Sequence, residues 1–483
     1  MPRGEDLQMG NTADFKELFL EPRSVAFVGV PREARALSPL GNLLRWGYGG
    51  KVQLVHPHAR EIQGFRAVPK VSELEGEVDL AVISSPRETV PGVISQCLDK
   101  GIRAIVVTNQ GFGDADPMGR SLQEAILEIS RERGARVLGP NTLGVVNSFS
   151  GFTTSFMPLE RKESPVGVIC QSGIFIVDAG HLMGGMGLGV DLGNGCDLGL
   201  ADAIDWLAVD ERVKVIAIHA EGIPQGREFM EKAFRASLKK PVVILKTGRT
   251  PHGMKAALSH TGSISGDDKL IDGALKRAGL VRVRRSDDVR DIVLSFVKLP
   301  AMRGPRVAMV TFTGGGGIIL LDAMALEGLE PANLGQGAIR ALKEVSPPWM
   351  PVGNPMDIWP GVMKHGMVRT YRSTLKAALE DPQVDAVVCV ALALPAHWGS
   401  ELDSLEVIRE LAEKSQKPVL VWFYGPEKEE ALRRLRGEEK LLGVESLEKA
   451  AKVLGAKWSY ERWKLEQRDG SSFTRIRPSS PCG

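Results

Sequence analysis

Ser24-Val-Ala-Phe-Val-Gly29, Val166-Gly-Val-Ile-Cys-Gln-Ser-Gly173 and Arg306-Val-Ala-Met-Val-Thr-Phe-Thr-Gly-Gly-Gly-Gly317 begin alike: a short β-branched run, then glycine, then a helical pattern. None of the three runs alternates apolar with polar, which is the pattern of a strand covered on both faces. More such runs follow each opening. Val52–Val55, Leu80–Ile83 and Ala104–Val107 follow the first, Val213–His219 and Val242–Leu245 the second, Ala386–Leu394 and Val419–Trp422 the third. Helical periods such as Leu122–Arg131 and Gly226–Leu238 separate them. Strand and helix in alternation predict an α/β protein of three doubly wound, parallel-sheet units.

The joins between units are polar and Pro/Gly-rich: Val146–Pro165, and Leu299-Pro-Ala-Met-Arg-Gly-Pro305. The expected units are residues 15–147, 160–298 and 304–460, with a polar tail at 461–483 expected to be disordered. Lys and Arg total 61 against 59 Asp and Glu, a net charge of +2. That balance offers no bulk attraction to nucleic acid or to an anionic membrane. Five scattered cysteines (Cys97, Cys170, Cys196, Cys389 and Cys482) have no metal-ligand spacing and read as reduced thiols. The N-terminal residues lack an apolar signal core, and no run reaches the ~18 apolar residues of a membrane span. The expectation is a soluble cytoplasmic protein without a bound metal.

Four places combine residues suited to chemistry. Ligands of open parallel sheets bind beyond the carboxyl ends of strands. Gly29 ends the first strand, and Ser84-Ser-Pro86 and Thr108-Asn-Gln-Gly-Phe112 end two others, although the full GxGxxG pattern is absent. Gln171-Ser-Gly173 opens a helix expected over Ile174–Leu182, where hydroxyl, glycine and helix start suit an anion. Read alone, Ser172 is more simply an N-cap. His260 lies among small polar residues in Ser259-His-Thr-Gly-Ser263. A neutral imidazole there can act as a nucleophile and carry a phosphoryl group. Glu221 ends the strand Val213–Ala220 and could orient such an imidazole. His219, inside that strand, reads as a packed residue, and His252 as part of a surface turn. Thr313–Gly317 and Asn354-Pro-Met-Asp357 read as turns.

Taken together and in order, these motifs resemble the α subunit of the NDP-forming acyl-CoA synthetases (ADP-forming acetyl-CoA synthetases), relatives of succinyl-CoA synthetase. The residues that carry the resemblance are Pro22-Arg-Ser-Val-Ala-Phe-Val-Gly29, Gly111-Phe112, Gly139-Pro-Asn-Thr-Leu-Gly144, Gln171-Ser-Gly173, Glu221-Gly222, Lys246-Thr-Gly-Arg249, Ser259-His-Thr-Gly-Ser263 and Gly353-Asn-Pro-Met-Asp357. The resemblance implies a Rossmann-like CoA-binding domain followed by two flavodoxin-like ligase domains. It implies the reaction acyl-CoA + phosphate + ADP ⇌ carboxylic acid + CoA + ATP, through an acyl phosphate and a phosphohistidine at His260. Glu221 would steady the imidazole. Ser172, Gly173, Gly262 and Ser263 would hold phosphate. Gly29, Val30, Pro31, Pro86, Thr108, Asn109 and Gln110 would line the CoA pocket.

ATP or ADP with Mg²⁺ would bind mainly to a separate ATP-grasp β subunit, in an α2β2 assembly, because the residues after 460 are too few for an ATP-grasp domain. The chain departs from its relatives at Val30-Pro31, where small residues are usual, and at Val55-His-Pro57, where Val-Asn-Pro is frequent. Thr142 replaces a usual cysteine, and Gly113-Asp a usual Ala-Glu. Two other readings share this fold: a non-catalytic CoA-binding regulator or scaffold, and an acyl or carbamoyl transferase.

Overall fold

The computed structural model describes residues 12–31, 37–261, 267–395, 397 and 402–468. The chain divides into two compact units, Met1–Arg290 and Asp291–Gly483.

The first unit holds two sheets. In the first, β1 (Ser24–Val28), β2 (Lys51–Val55), β3 (Glu61–Ile62), β4 (Phe65–Val68), β5 (Leu80–Ile83), β6 (Ala104–Val107) and β7 (Arg136–Leu138) lie in the order β3-β4-β2-β1-β5-β6-β7. All neighbours are parallel except the β3–β4 pair. The chain winds outward from β1 in both directions, so the order reverses between β1 and β5, the Rossmann arrangement. β1, β5 and β6 are buried at every position, which is why their sequences do not alternate.

The second sheet contains β8 (Gly144–Asn147), β9 (Phe152–Thr153), β10 (Val166–Cys170), β11 (Leu188–Asp191), β12 (Val215–Ala220), β13 (Val242–Lys246) and β14 (Val281–Val283). Its order is β14-β13-β12-β10-β11-β8-β9. The five strands from β10 onward are parallel and flavodoxin-like, with their reversal between β10 and β12. The stretch read as an aperiodic join contributes to this sheet: β8 runs antiparallel to β11, and β9 to β8.

Both sheets share one hydrophobic core. Phe27 and Val82 of the first belong to the same buried cluster as Ile169 and Ile216 of the second. The helix Thr12–Leu20 bridges them. Phe19 stacks on Trp206 with ring centroids 5.4 Å apart. Asn147 Nδ2 donates to Leu20 O at 3.0 Å.

The second unit carries β15 (Arg306–Thr311), β16 (Glu330–Pro331), β17 (Met356–Asp357), β18 (Ala386–Leu392), β19 (Val419–Tyr424) and β20 (Leu442–Val444). Its order is β16-β15-β18-β19-β20, with β17 also on β15, again flavodoxin-like. Thr313–Gly317 is not an isolated turn. Thr313 immediately precedes the helix Gly314–Leu326, whose first turn is all glycine. Asn354 serves the sheet: its Nδ2 donates to Val307 O at 2.8 Å and its Oδ1 accepts from Met309 N at 3.0 Å. Residues 461–468, expected to belong to a disordered tail, are helical. The helix Leu447–Arg468 continues past residue 460 because Tyr460 and Trp463 are buried against the unit. Residues 469–483 lie outside the described residues. Among the described residues no helix is long and apolar enough to cross a membrane.

Candidate active site

Strand order reverses between β1 and β5 in one sheet of the first unit and between β10 and β12 in the other, where open parallel sheets form their ligand crevices, and the described residues singled out from the sequence lie at the ends of these strands and their neighbours. At the first, Gly29 follows β1 with φ +86°, and its N–H donates to Val55 O at 3.0 Å. A Cβ at this position would sit 3.0 Å from Ser85 Cα and Ser85 N. Glycine is therefore required both for the dihedral and for the close approach of two strand ends. Ser84 N–H donates to Val28 O at 2.8 Å, and Ser84 Oγ lies 2.9 Å from Thr108 Oγ1. These bonds bring the ends of β1, β5 and β6 together.

Pro86 and Gln110 are exposed at this edge and Thr108 is half-buried. Asn109 Oδ1 is buried without a hydrogen-bond donor among the described residues. Val30 differs from the expectation. It is fully buried in the core, so only its main chain can face the crevice. Residues 32–36 lie outside the described residues. His56, unusual beside the common asparagine, has a local role: its Nδ1 accepts from the N–H groups of His58 (3.1 Å) and Ala59 (2.9 Å). An asparagine Oδ1 performs the same task in an Asx-turn.

At the second crevice, Gln171 Oε1 accepts from Glu221 N at 2.6 Å and Gly222 N at 3.1 Å. One side-chain oxygen thus ties the Ser172–Gly173 turn after β10 to the Glu221–Gly222 turn after β12. Ser172 and Gly173 are half-buried. The helix that follows is shorter than expected. It divides into Ile174–Val177 and Ala179–Leu182 at Asp178, whose backbone (φ −112°, ψ 33°) leaves the helical region. Aspartate competes with helix geometry through its own side chain, and Asp178 Oδ1 lies 2.6 Å from His181 Nδ1. An anion here would rely on the local N–H groups of a single turn more than on a long helix dipole.

Glu221 is 9% exposed. Beneath it lies Lys246, 1% exposed, whose ammonium donates to Glu221 O at 2.6 Å and Thr247 O at 2.5 Å. Burial, with the nearby Arg282 adding to it, lowers this lysine to about 8. His219 is packed, as its strand position implies: its ring stacks on Phe175 at 3.9 Å. His252 is exposed in the first turn of the helix Pro251–Thr261 rather than in a turn. The backbone of His260 belongs to the last turn of that helix, which starts five residues after β13, the strand beside β12. Its side chain, and Gly262 and Ser263 entirely, lie outside the described residues.

Three neighbours of the crevices escaped the sequence reading. Arg87 Nη1 donates to Gly111 O at 2.6 Å and Asp116 Oδ2 at 3.0 Å, clamping the loop after β6. Asp191, fully buried at the end of β11, accepts Leu143 N–H at 2.7 Å on Oδ2. A Cβ on Gly173 would lie 3.6 Å from that same oxygen. Burial raises the Asp191 carboxyl to about 6, against backbone N–H groups that favour its anion. Asn194 joins the two sheets. The signal for Asp191 was its position at a strand end, in Gly-Val-Asp-Leu-Gly-Asn194. Thr142, in place of the usual cysteine, donates to Asp191 O and accepts Gly144 N–H at 2.7 Å. A hydroxyl makes that double contact better than a thiol.

Comparison with known proteins agrees with this architecture. Residues 23–148 match a CoA binding domain, 163–296 a succinyl-CoA ligase like flavodoxin domain, and 307–466 a Ligase-CoA domain. The chain is 32% identical over 471 residues to acetate–CoA ligase (ADP-forming) I subunit alpha of Pyrococcus furiosus, covering 94% of this chain and 99% of that protein. It is 38% identical over 388 residues to acetate–CoA ligase (ADP-forming) II of Archaeoglobus fulgidus, covering 78% of this chain. The matched part is 57% of the longer archaeal protein. A solved structure from Ca. Korarchaeum cryptofilum, described as dinucleotide forming acetyl-coenzyme A synthetase 1 in complex with phosphate and ADP, matches with TM-score 0.84 and 31% identity. That match covers 95% of this chain and 100% of the other. With the ordered motifs, the three sheets and these relatives in agreement, the chain belongs to the family of ADP-forming acetyl-CoA synthetase (acetate–CoA ligase) α subunits.

Proposed function

We propose that the chain is the α subunit of an ADP-forming acyl-CoA synthetase that interconverts acyl-CoA, phosphate and ADP with carboxylic acid, CoA and ATP. A phosphate oxygen attacks the thioester carbonyl carbon, the C–S bond breaks, and CoA leaves as its thiol once protonated. The imidazole of His260 then attacks the phosphorus of the acyl phosphate, and the carboxylate departs. Finally a β-phosphate oxygen of ADP attacks the phosphohistidine, the P–N bond breaks, and ATP forms.

CoA would lie at the first crevice, against Gly29, the main chain of Val30, Pro31, Pro86 and Thr108–Gln110. The buried Asn109 Oδ1 offers an acceptor for an amide N–H of its pantetheine arm. Ser172 and Gly173, with Gly262 and Ser263, would hold phosphate, and Glu221 would stabilise the imidazolium or phosphoimidazole. The nucleotide and its Mg²⁺ would sit on a separate ATP-grasp β subunit, in an α2β2 assembly. The two Pyrococcus furiosus relatives are named alpha subunits, which favours such a partner. The observation that carries the reading is the Gln171 bridge, which holds a phosphate-suited turn and a buried carboxylate across one crevice.

The test is phosphorylation with labelled ATP and Mg²⁺, of the chain co-expressed with its partner, analysed without acid. Wild type is expected to carry acid-labile phosphate on His260, and His260→Ala to lose at least 100-fold of label and turnover. Equal label on both chains would falsify the histidine role. CoA binding without any label would favour the regulator reading, and acyl-CoA phosphorolysis that yields no ATP the transferase.

A further inference from the structure

We propose that Asn194 is a positioning residue for the thioester step: it holds the loop after β6 against the end of β11 and so sets the spacing between the CoA and phosphate crevices. The proposal rests on the assignment of CoA to the first crevice and phosphate to the second.

Asn194 lies in the turn Leu192–Gly195 that follows β11. Its Nδ2 donates to Asp114 Oδ1 at 2.7 Å and to Gln123 Oε1 at 3.1 Å. Both acceptors belong to the first sheet's elements, and both hold that sheet's loop by its main chain. Asp114 Oδ1 accepts Phe112 N–H at 3.1 Å, and Gln123 Oε1 accepts Gly113 N–H at 3.2 Å. The amide of Asn194 therefore organises the two side chains that shape Gly111–Gly113. This segment directly continues Thr108–Gln110.

The other end of Asn194 is tied as firmly. Its N–H donates to Pro140 O at 2.9 Å. The adjacent Asn141 N–H donates to Asn109 O at 2.8 Å. Gly193, with φ +54°, makes this approach possible: a Cβ there would lie 2.4 Å from both Pro140 O and Asn141 O. Two residues before Gly193 stands Asp191, whose Oδ1 accepts from Cys170 Sγ at 3.5 Å, two residues before Ser172. Hydrogen bonds thus run from the candidate CoA loop to Asn194, and from Asp191, three residues earlier in the same segment, to Cys170, at the end of the strand that leads into the candidate phosphate turn.

Spacing of this kind matters because phosphate must approach a thioester carbonyl carried by CoA. Misplacement of reacting groups by ~1 Å costs on the order of 100-fold in rate. The Asn194–Asp114 bond is charge-assisted and directional, and its polarity can be reversed by design. Asn194→Asp sets a second carboxylate against Asp114, whereas Asn194→Asp combined with Asp114→Asn restores a donor facing an acceptor at that bond while leaving the bond to Gln123 unmade in both variants.

The experiment uses the chain with any co-purified partner, supplied with acetyl-CoA, inorganic phosphate, ADP and Mg²⁺, and follows thiol release. Calorimetry with CoA and amide exchange at Phe112 and Gly113 accompany it. Asn194→Asp is expected to lower kcat about 100-fold while CoA affinity changes less than about threefold, with faster exchange at the two amides. The double variant is expected to recover to within about tenfold of wild type. An unchanged kcat in Asn194→Asp, or a double variant no better than the single one, overturns the proposal. Should the single variant fail to fold, the double variant still decides: wild-type exchange at Phe112 and Gly113 without recovered turnover also overturns it. Wild type that binds no CoA, or releases no thiol, removes the site assignment and this proposal with it. An intact wild type beside an unaffected Asn194→Asp removes the proposal alone.

Discussion

Asp191 shows how one buried carboxyl can shape behaviour over a narrow pH interval. Desolvation lifts it from 3.8 to about 6. A carboxyl whose folded value exceeds its unfolded value resists ionisation in the native state. Its penalty is therefore absent below about pH 4 and complete above about pH 6. A shift of about two units corresponds to about 3 kcal/mol. Asp191→Asn removes the titration while keeping an oxygen for Leu143 N–H. Unfolding free energy measured by urea titration from pH 4 to 7 should shift in favour of the variant, relative to wild type, as pH rises through this interval. Parallel curves for the two proteins would refute the shift. The same residue lies against Cys170, two residues before the turn expected to hold phosphate, so wild-type phosphate binding should also weaken as the carboxyl ionises.

At the scale of an element, the ends of the parallel strands carry the constraint. β1 stops at Gly29 because the chain must turn left-handed beside Ser85 while leaving its crevice open. Gly29→Ala would place a methyl group 3.0 Å from Ser85 main chain at φ +86°. The expected cost is about 1–2 kcal/mol in stability, with at least tenfold weaker CoA binding. Calorimetry with CoA, paired with a melting curve, checks both. A variant of normal affinity would remove Gly29 from the CoA site. The short helix after Gly173 follows the same logic. Aspartate at position 178 ends it after one turn, leaving Ser172 and Gly173 at the mouth of the crevice instead of at the head of a long helix.

At the scale of the whole molecule, the first unit behaves as one body because two sheets bury one core. Phe19 and Trp206 hold the helix Thr12–Leu20 across both. Phe19→Ala should cost about 3–5 kcal/mol. Because the core is shared, amides of β1 and β5 should lose exchange protection together with those of β10 and β12. Protection lost in only one sheet would mean that the two fold separately. The second unit has its own core around Val310, Tyr371 and Val387, so its amides should be little affected.

Much of this organisation was legible in the sequence. Unbroken β-branched runs ending in glycine marked the parallel strands, since a strand covered on both faces has no polar side to show. Parallel sheets put their ligand crevices at carboxyl strand ends, so Gly29, Thr108, Ser172 and Glu221 could be singled out by position. What the sequence could not express was which loop meets which. Asn194 acquires its role only by facing Asp114 and Gln123, and Asp191 only by lying against Leu143 and Cys170. Gly144–Asn147 looked like a connector until β11 supplied its partner. Local patterns arise from neighbours a few residues away. Contacts between loops from two different sheets depend on how the shared core aligns those sheets, and that alignment exists only in the folded chain.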